Sequence, residues 1–147
     1  MGRVLLATLA CSLIAGSAAS AQTNNADIKW VPAVGFPAGA QMAVLSGDPG
    51  KSGLFTVRLR MPAGFAIAPH WHPTDELVTV VDGEVSLGMG DAIDKAKSAT
   101  LMQGGYVVAP AKMHHYAYTS SGGTVQVTGM GPFAITYVNP KDDPRTK

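Results

Sequence analysis

The stretch that decides the fold reads Gly64-Phe65-Ala66-Ile67-Ala68-Pro69-His70-Trp71-His72-Pro73-Thr74-Asp75-Glu76. Side chains two residues apart on an extended strand point to the same face, so His70 and His72 are expected to project into one space. Pro73 and Asp75 predict a bend directly afterwards, and Glu76 opens the next apolar run. A strand, a short turn and a second strand would therefore bring two imidazoles and a carboxylate to a common point.

The cost of burying these three side chains indicates a metal ion. Two imidazoles and a carboxylate on an inward face are unfavourable unless each has a partner, and one divalent cation satisfies all three. The alternative is that both histidines are ordinary core or surface residues, hydrogen-bonded to neighbouring groups. The combination of these ligand types at this spacing favours the metal site.

This spacing resembles the first motif of the cupin superfamily. The motif, G-x5-H-x-H-x3-E-x6-G, is matched at every specified position by Gly64, His70, His72, Glu76 and Gly83. The resemblance implies a small all-β protein, folded as a single cupin jelly-roll β-barrel. It also implies one metal ion, bound by the two histidines, the glutamate and a further histidine from a second motif.

The second cupin motif, G-x5-P-x-G-x2-H-x3-N, is matched in part. The positions in register are Gly104, Pro110 and His115. Lys112 replaces the second glycine of the motif, and Thr119 replaces its asparagine. The resemblance thus implies that His115 is the fourth ligand. His114 stays open as an alternative, because Lys112 changes the preceding turn and adjacent strand residues face opposite sides.

The implied ligand set restricts the metal. Three imidazoles and one carboxylate suit a divalent transition metal, so the expected ion is Fe, Mn, Co, Ni, Cu or Zn. If the ion is octahedral, four protein ligands leave two positions open for water, substrate or dioxygen. The site would therefore be able to hold a small-molecule ligand or substrate.

Different classes of function fit such a site. The first is a metal-dependent, dioxygenase-like oxidoreductase acting on a small organic molecule, in which Glu76 is a ligand and, once displaced, a proton acceptor. The second is a non-catalytic protein that binds or senses a metal or a small ligand. A third is a lyase or hydrolase that uses metal-activated water. Cupin folds host all three, so the fold alone does not choose between them.

Composition and charge limit the other possibilities. The chain of 147 residues is 46% hydrophobic and 14% charged, with 17 glycines and 10 prolines, which favours one domain of short strands joined by turns. The formal net charge is +1 and the basic residues are scattered, so nucleic-acid binding is not expected.

The N-terminus predicts a secretory signal peptide over residues 1–21. Arg3 precedes an apolar run at 4–14, and Ala19-Ser20-Ala21 forms a small-residue cleavage site before Gln22. A membrane anchor would need a longer apolar run, and a lipoprotein signal ending at Cys11 would divide that run. We therefore expect a secreted or periplasmic protein with no membrane segment after cleavage. Since Cys11 is the only cysteine, the mature chain would have no disulfide or thiolate ligand.

The remaining chain divides into an extended arm at 22–40, the barrel domain at 41–138 and a flexible tail at 139–147. The arm carries the apolar residues Trp30, Val31, Val34 and Phe36, which predicts packing against the barrel or against a second subunit in a homodimer. Within the domain, 54–61 alternates as a half-buried strand. Asp82-Gly83 predicts a hairpin turn between strands at 77–81 and 84–89, and the last strand is expected at 133–138.

Overall fold

The computed structural model describes residues 22–146, so the predicted signal peptide lies outside the described residues. The described chain is all-β: its helices are short 3-10 segments at Asn25–Asp27, Lys95–Lys97, Pro140–Asp142 and Pro144–Thr146. The strands are β1 (Val31–Pro32), β2 (Gln41–Ser46), β3 (Gly53–Met61), β4 (Ala66–Trp71), β5 (Glu76–Met89), β6 (Ala99–Met102), β7 (Tyr106–Ala109), β8 (His115–Tyr118), β9 (Gly123–Gly131) and β10 (Thr136–Tyr137). Between residues 22 and 146, no helix is long and apolar enough to cross a bilayer.

Two antiparallel sheets share strand β5. The first sheet has the order β1-β2-β3-β9-β5-β7, and the second has the order β6-β5-β8-β4-β10. The apolar residues enclosed between the sheets come from both, for example Val57 and Val127 from the first and Ile67 and Ala117 from the second. The predicted all-β class is confirmed, and the sheets curl around one core.

Strand β5 runs without a turn from one sheet into the other, so the predicted hairpin at Asp82-Gly83 is wrong. Gly83 has a φ of 70°, and the pairing with β9 shifts by one residue between Val80 and Asp82. A Cβ at Gly83 would lie 2.4 Å from the carbonyl oxygen of Gly122, so the neighbouring backbone also requires glycine here. Residues that commonly form a turn therefore form a bend inside a long strand.

Strand β3 alternates as its sequence predicts. Its inward side chains, Phe55, Val57, Leu59 and Met61, are all buried. The outward Arg58 donates from Nε to Gln126 Oε1 at 3.3 Å, and Arg60 donates to the side-chain oxygen of Gln41. The two arginines thus belong to the outer face of the first sheet and not to the interior.

The N-terminal arm folds back onto its own barrel. Ile28 and Ala33 are buried, and Phe36 packs against the core. The guanidinium of Arg60 lies 4.4 Å from the ring centre of Trp30, a cation–π contact on the outer face of the first sheet. These contacts cover part of the apolar surface of the arm within a single chain.

The described part of the C-terminal segment, residues 139–146 of the tail predicted to be flexible, makes defined contacts. Residues 140–146 form two 3-10 helices, and the side chain of Asn139 accepts a hydrogen bond from Lys141 N at 3.2 Å. The guanidinium of Arg145 pairs with Asp143 and donates to the carbonyl oxygen of Ile135 at 3.0 Å. The bond from Arg145 to Ile135 joins this segment to the barrel, and the flexibility of the tail stays a prediction.

The last predicted strand, 133–138, is much shorter in the structure and comprises only Thr136–Tyr137. The backbone groups before it bond elsewhere: Phe133 N donates to Pro49 O at 2.7 Å, and Ile135 O accepts from Arg145. Residues 133–135 therefore do not belong to a strand.

Candidate metal centre

Three histidines converge inside the barrel. His70 lies near the end of β4, His72 directly follows that strand, and His115 begins the adjacent strand β8, opposite His70 in the register. All three are buried, and one ring nitrogen of each lies within 4.8 Å of the others. The predicted i and i+2 placement on one face brings the first two together, and sheet pairing supplies the third.

Backbone carbonyls fix the orientation of each ring. The Nδ1 atoms lie within hydrogen-bond distance of main-chain oxygens in the pairs His70 with Ala68 (2.8 Å), His72 with Ala134 (2.8 Å) and His115 with Met113 (2.9 Å). A carbonyl oxygen only accepts, so each Nδ1 carries the proton and, in the neutral ring, Nε2 presents a lone pair. This is the arrangement in which histidine binds a metal through Nε2.

Two of these Nε2 atoms are buried without a partner. Within residues 22–146, Nε2 of His72 and Nε2 of His115 accept and donate no hydrogen bond. Leaving a buried polar atom unpaired costs roughly 1–3 kcal/mol, and native structures normally supply a partner. A divalent cation between the rings would supply it, so the residues present fit a metal ion.

Glu76 brings a carboxylate to the same point from the start of β5. Its Oε2 atom lies 3.3 Å from His115 Nε2 and 3.6 Å from His72 Nε2. A carboxylate oxygen and an imidazole lone pair repel each other unless a proton or a cation lies between them. The structure therefore places Glu76 beside two of the three histidines, in a position where a shared cation would relieve the repulsion.

The local electrostatics keep two histidines neutral. Burial, together with the neighbouring His115 and His72, lowers the pKa of His70 to about 3. Burial also lowers the pKa of His72, with Glu76 opposing it. Neutral imidazole is the metal-binding form. These two rings are thus in the ligating state at neutral pH.

The carboxylate and the third histidine influence each other. Burial acts to raise the pKa of Glu76, but His115 and His72 outweigh it and the pKa is lowered. Burial acts to lower the pKa of His115, but Glu76 outweighs it and the pKa is raised. Glu76 is therefore ionised, which is the form that binds a cation.

His114 lies outside this cluster. Its side chain is 39% exposed, and its Nδ1 lies 2.6 Å from Asp91 Oδ1 on the surface. Lys112, which replaces a motif glycine, adopts the left-handed conformation with a φ of 62°, and its backbone N donates to His72 O at 2.8 Å. The turn thus keeps the shape expected of glycine. For this reason His115, not His114, reaches the interior.

An apolar cavity of about 270 Å³ adjoins the histidine cluster. It is lined by Val34, Phe36, Met42, Pro49, Gly50, Val57, Leu59, Glu76, Val127, Phe133, Ala134, Ile135 and Arg145. A smaller cavity of about 40 Å³ is lined by His70, His115 and Glu76 among others. Since Glu76 lines both, the larger cavity lies beside the candidate metal centre, and its volume is just below the range typical of small-molecule sites.

Comparison with known proteins identifies the family. A model of the ChrR cupin-like domain matches residues 18–134. The chain is a member of the cupin superfamily. No curated protein matches its sequence. The jelly-roll barrel implied by the two motifs is therefore the fold of this protein.

Solved cupin structures share the fold at low sequence identity. The polyketide cyclase RemF from Streptomyces resistomycificus is 17% identical over 85% of this chain and 89% of its own, with a TM-score of 0.69. A putative acetylacetone dioxygenase from Methylibium petroleiphilum PM1 is 23% identical over 85% of each chain, with a TM-score of 0.61. An RmlC-like cupin from Shewanella frigidimarina NCIMB 400 is 18% identical over 74% of this chain and 87% of its own, with a TM-score of 0.58. These likenesses establish the fold alone.

Sequence reasoning missed several residues that complete the site in this cupin. Phe133 stacks on His72, with ring centres 4.2 Å apart and planes at 19°, and the carbonyl of Ala134 holds the same imidazole. Arg145 lines the cavity from the tail. An apolar run after Pro132 is typical of a strand, and a terminal arginine is typical of solvent, so no local pattern distinguished these residues.

Proposed function

We propose that this cupin binds one divalent transition-metal ion through His70, His72, Glu76 and His115 and acts as a metal-dependent enzyme on a small, largely apolar organic molecule. Oxygen-dependent oxidation is the reaction class to test first. The observation that carries the proposal is the convergence of three backbone-oriented imidazoles, two with unpaired Nε2 atoms, at the end of an apolar cavity. As part of the same proposal, the protein acts outside the cytoplasm after removal of residues 1–21.

The residues of the chain have separable roles in this proposal. A bound metal would supply Lewis-acid and, for a redox-active ion, electron-transfer chemistry. The three histidines hold it with fixed orientation, because their Nδ1 atoms are anchored to the main chain. Glu76 would complete the ligand set, and its ionised carboxylate, once displaced, would accept a proton from a ligand. The apolar walls exclude water and orient the ligand.

A second candidate function is binding without turnover, as a metal or small-ligand binding or sensor protein. One observation favours it: the described lining of the larger cavity offers Glu76 and Arg145 as its ionisable side chains, with no second carboxylate or histidine to pair as acid and base. Lyase or hydrolase chemistry with metal-activated water would have to rely on Glu76 alone for proton transfer. Turnover is therefore the decisive measurement.

The experiment is metal analysis of the purified protein together with three matched alanine variants. We expect about one equivalent of metal in wild type, and metal affinity lower by about 100-fold or more in His70→Ala and His115→Ala. His114→Ala, a histidine of the same strand region that lies outside the cluster, should keep full occupancy. Absence of metal in freshly isolated and in reloaded wild type would overturn the metal proposal.

The reaction class is tested on the metal-loaded protein. Consumption of dioxygen with a phenol, flavonol or diketone, lost in His70→Ala and kept in His114→Ala, would support oxidation. Tight binding of these compounds without any product would select the binding function instead. Product formation without consumption of dioxygen would select lyase or hydrolase chemistry.

A further inference from the structure

The cavity of the proposed ligand site has one ionisable side chain on its inner side and one on its outer side. Glu76 also lines the smaller cavity that reaches His70, and it is 13% exposed. Arg145 lines only the larger cavity and is 45% exposed. The other lining residues are apolar or glycine. A ligand that fills the cavity must therefore be apolar along most of its length, with its polar group at an end.

Arg145 is held in place before any ligand binds. Its Nε donates to Asp143 Oδ1 at 2.8 Å, and its Nη2 donates to Asp143 Oδ2 at 2.7 Å and to Ile135 O at 3.0 Å. These bonds fix one edge of the planar guanidinium. Because the guanidinium of Arg145 is already ordered, ligand binding costs little further conformational entropy at this side chain.

The opposite edge of the guanidinium, which carries Nη1, lies beside Gly35 of the arm. Among the residues of the described chain, no hydrogen bond involves Nη1 of Arg145. A Cβ placed on Gly35 would lie 3.9 Å from this Nη1, and Gly35 lies between Val34 and Phe36, which line the cavity. A donor without a partner thus lies at the outer end of the cavity lining.

The described lining of the larger cavity includes one cation, Arg145, that can pair with an anionic group of a ligand. Arg145 is positive, and although Asp143 already offsets part of its charge, Nη1 still has two N–H donors for a second carboxylate. Because Arg145 is 45% exposed, solvent screens the attraction and its effect on affinity is moderate.

We propose that Arg145 is a specificity-determining residue that binds a carboxylate of the ligand, so that the ligand is a small molecule with an apolar body and one anionic end. This inference rests on the proposed function only in taking the cavity beside Glu76 as the ligand site. With the carboxylate at Arg145, the apolar end of the ligand points to Glu76 and the histidines. The reacting atom is then remote from the carboxylate.

The test compares two probes of the same shape, phenylacetate and phenylacetamide, by isothermal titration calorimetry. Both are measured on the full protein as isolated and again after metal removal, since a carboxylate could also bind a metal ion directly. We expect wild type to prefer phenylacetate by about tenfold in both forms, and the preference to shrink in high salt. In Arg145→Gln the preference should fall to about twofold or less, with phenylacetamide affinity unchanged.

Two controls keep the outcome decisive. Lys141→Gln removes a positive charge from the same tail at a residue outside the cavity lining, and it should keep the wild-type preference. Arg145→Lys keeps the charge and should keep part of the preference even if Arg145→Gln disturbs the tail. Equal affinity of wild type for the two probes, or an equal loss of preference in Lys141→Gln, would overturn the inference.

The measurements distinguish failure of the role of Arg145 from failure of the proposed function. A carboxylate preference in protein that binds no metal would leave Arg145 as an anion-recognising residue and refute the metal enzyme. Full metal occupancy without any carboxylate preference would support the metal centre and refute the role of Arg145.

Discussion

The two ends of the ligand cavity are built in different ways. At the inner end, His70 and His115 lie on paired strands of the second sheet, and main-chain carbonyls orient all three imidazoles. At the outer end, Val34 comes from the arm and Arg145 comes from the tail, whereas Phe36 of the arm lines both cavities. The inner end is thus part of the barrel, whereas the outer end consists of segments that pack onto it.

This difference separates metal binding from ligand selection. A ligand atom on a strand is positioned by the hydrogen bonds of the sheet, so its geometry is hard to change without loss of the fold. Segments outside the strands tolerate substitution more easily. The outer end is therefore expected to accept changes of residue that alter the ligand and leave the metal in place.

The largest effect is expected at Gly83, in the bend of β5 between the two sheets. Gly83→Ala would place a Cβ 2.4 Å from Gly122 O and force a side chain into a positive φ, so we expect loss of about 3 kcal/mol or more in the free energy of unfolding. Urea denaturation measures it. Gly104→Ala is the control, since its φ is 85° but no atom lies within 4 Å of the added Cβ, and it should lose only about 1 kcal/mol. Equal losses of stability in the two variants would show that the contact with Gly122 O is unimportant.

Phe133 tests whether the two ends are separable, because it contacts both. Its ring stacks on His72 at 4.2 Å and packs against Phe55 at 5.0 Å, while it also lines the cavity. Phe133→Ala should lower the free energy of unfolding by about 2–3 kcal/mol and weaken metal binding by about tenfold. Thermal unfolding with and without metal measures both. Phe133→Leu keeps most of the side-chain volume, so it should lower the free energy of unfolding and the metal affinity by less than Phe133→Ala.

Phe36 should show a smaller and more selective effect. It belongs to the arm, is partly buried and lines both cavities without contributing a metal ligand. We expect Phe36→Ala to cost about 2 kcal/mol in stability and to weaken phenylacetate binding, with metal affinity within about twofold of wild type. Loss of metal in this variant, measured by competition with a chelating dye, would contradict the separation of the two ends.

The smallest effect is expected at Lys112, which shapes the turn before His115. Its φ of 62° is unfavourable for any residue with a Cβ. After the conformational entropy that glycine loses on folding is subtracted, we expect Lys112→Gly to raise the free energy of unfolding by about 0.5–1 kcal/mol. Lys29 is an exposed lysine without a positive φ, so Lys29→Gly should not raise the free energy of unfolding. Destabilisation of Lys112→Gly in urea denaturation would mean that the lysine side chain makes a stabilising contact that outweighs the strain.

The inner end of the cavity was predictable from the sequence because its information is local. The spacing of His70, His72 and Glu76 sets their directions at the end of β4 and the start of β5, and the resemblance to the second cupin motif favours His115 without excluding His114. The fold class followed from alternation and turn residues. Sequence alone left the fourth ligand open, because only tertiary burial distinguishes two adjacent histidines.

The outer end was not predictable, because its determinants are long-range. Ile135 and Arg145 meet through a hydrogen bond between the segment before β10 and the tail. Likewise, the Asp82-Gly83 pair is compatible with a hairpin or with a bend, and only the approach of Gly122 decides between them. Local patterns describe the propensity of a segment, whereas these features depend on what packs against it.

The passage of β5 through both sheets has a consequence for how the protein unfolds. This strand pairs with β6, β7, β8 and β9, so neither sheet can detach while β5 remains intact. We expect its central amides to exchange with solvent only through global opening, and both sheets to melt in a single cooperative transition. Because these pairings join segments distant in sequence, folding should be slow for a chain of this size.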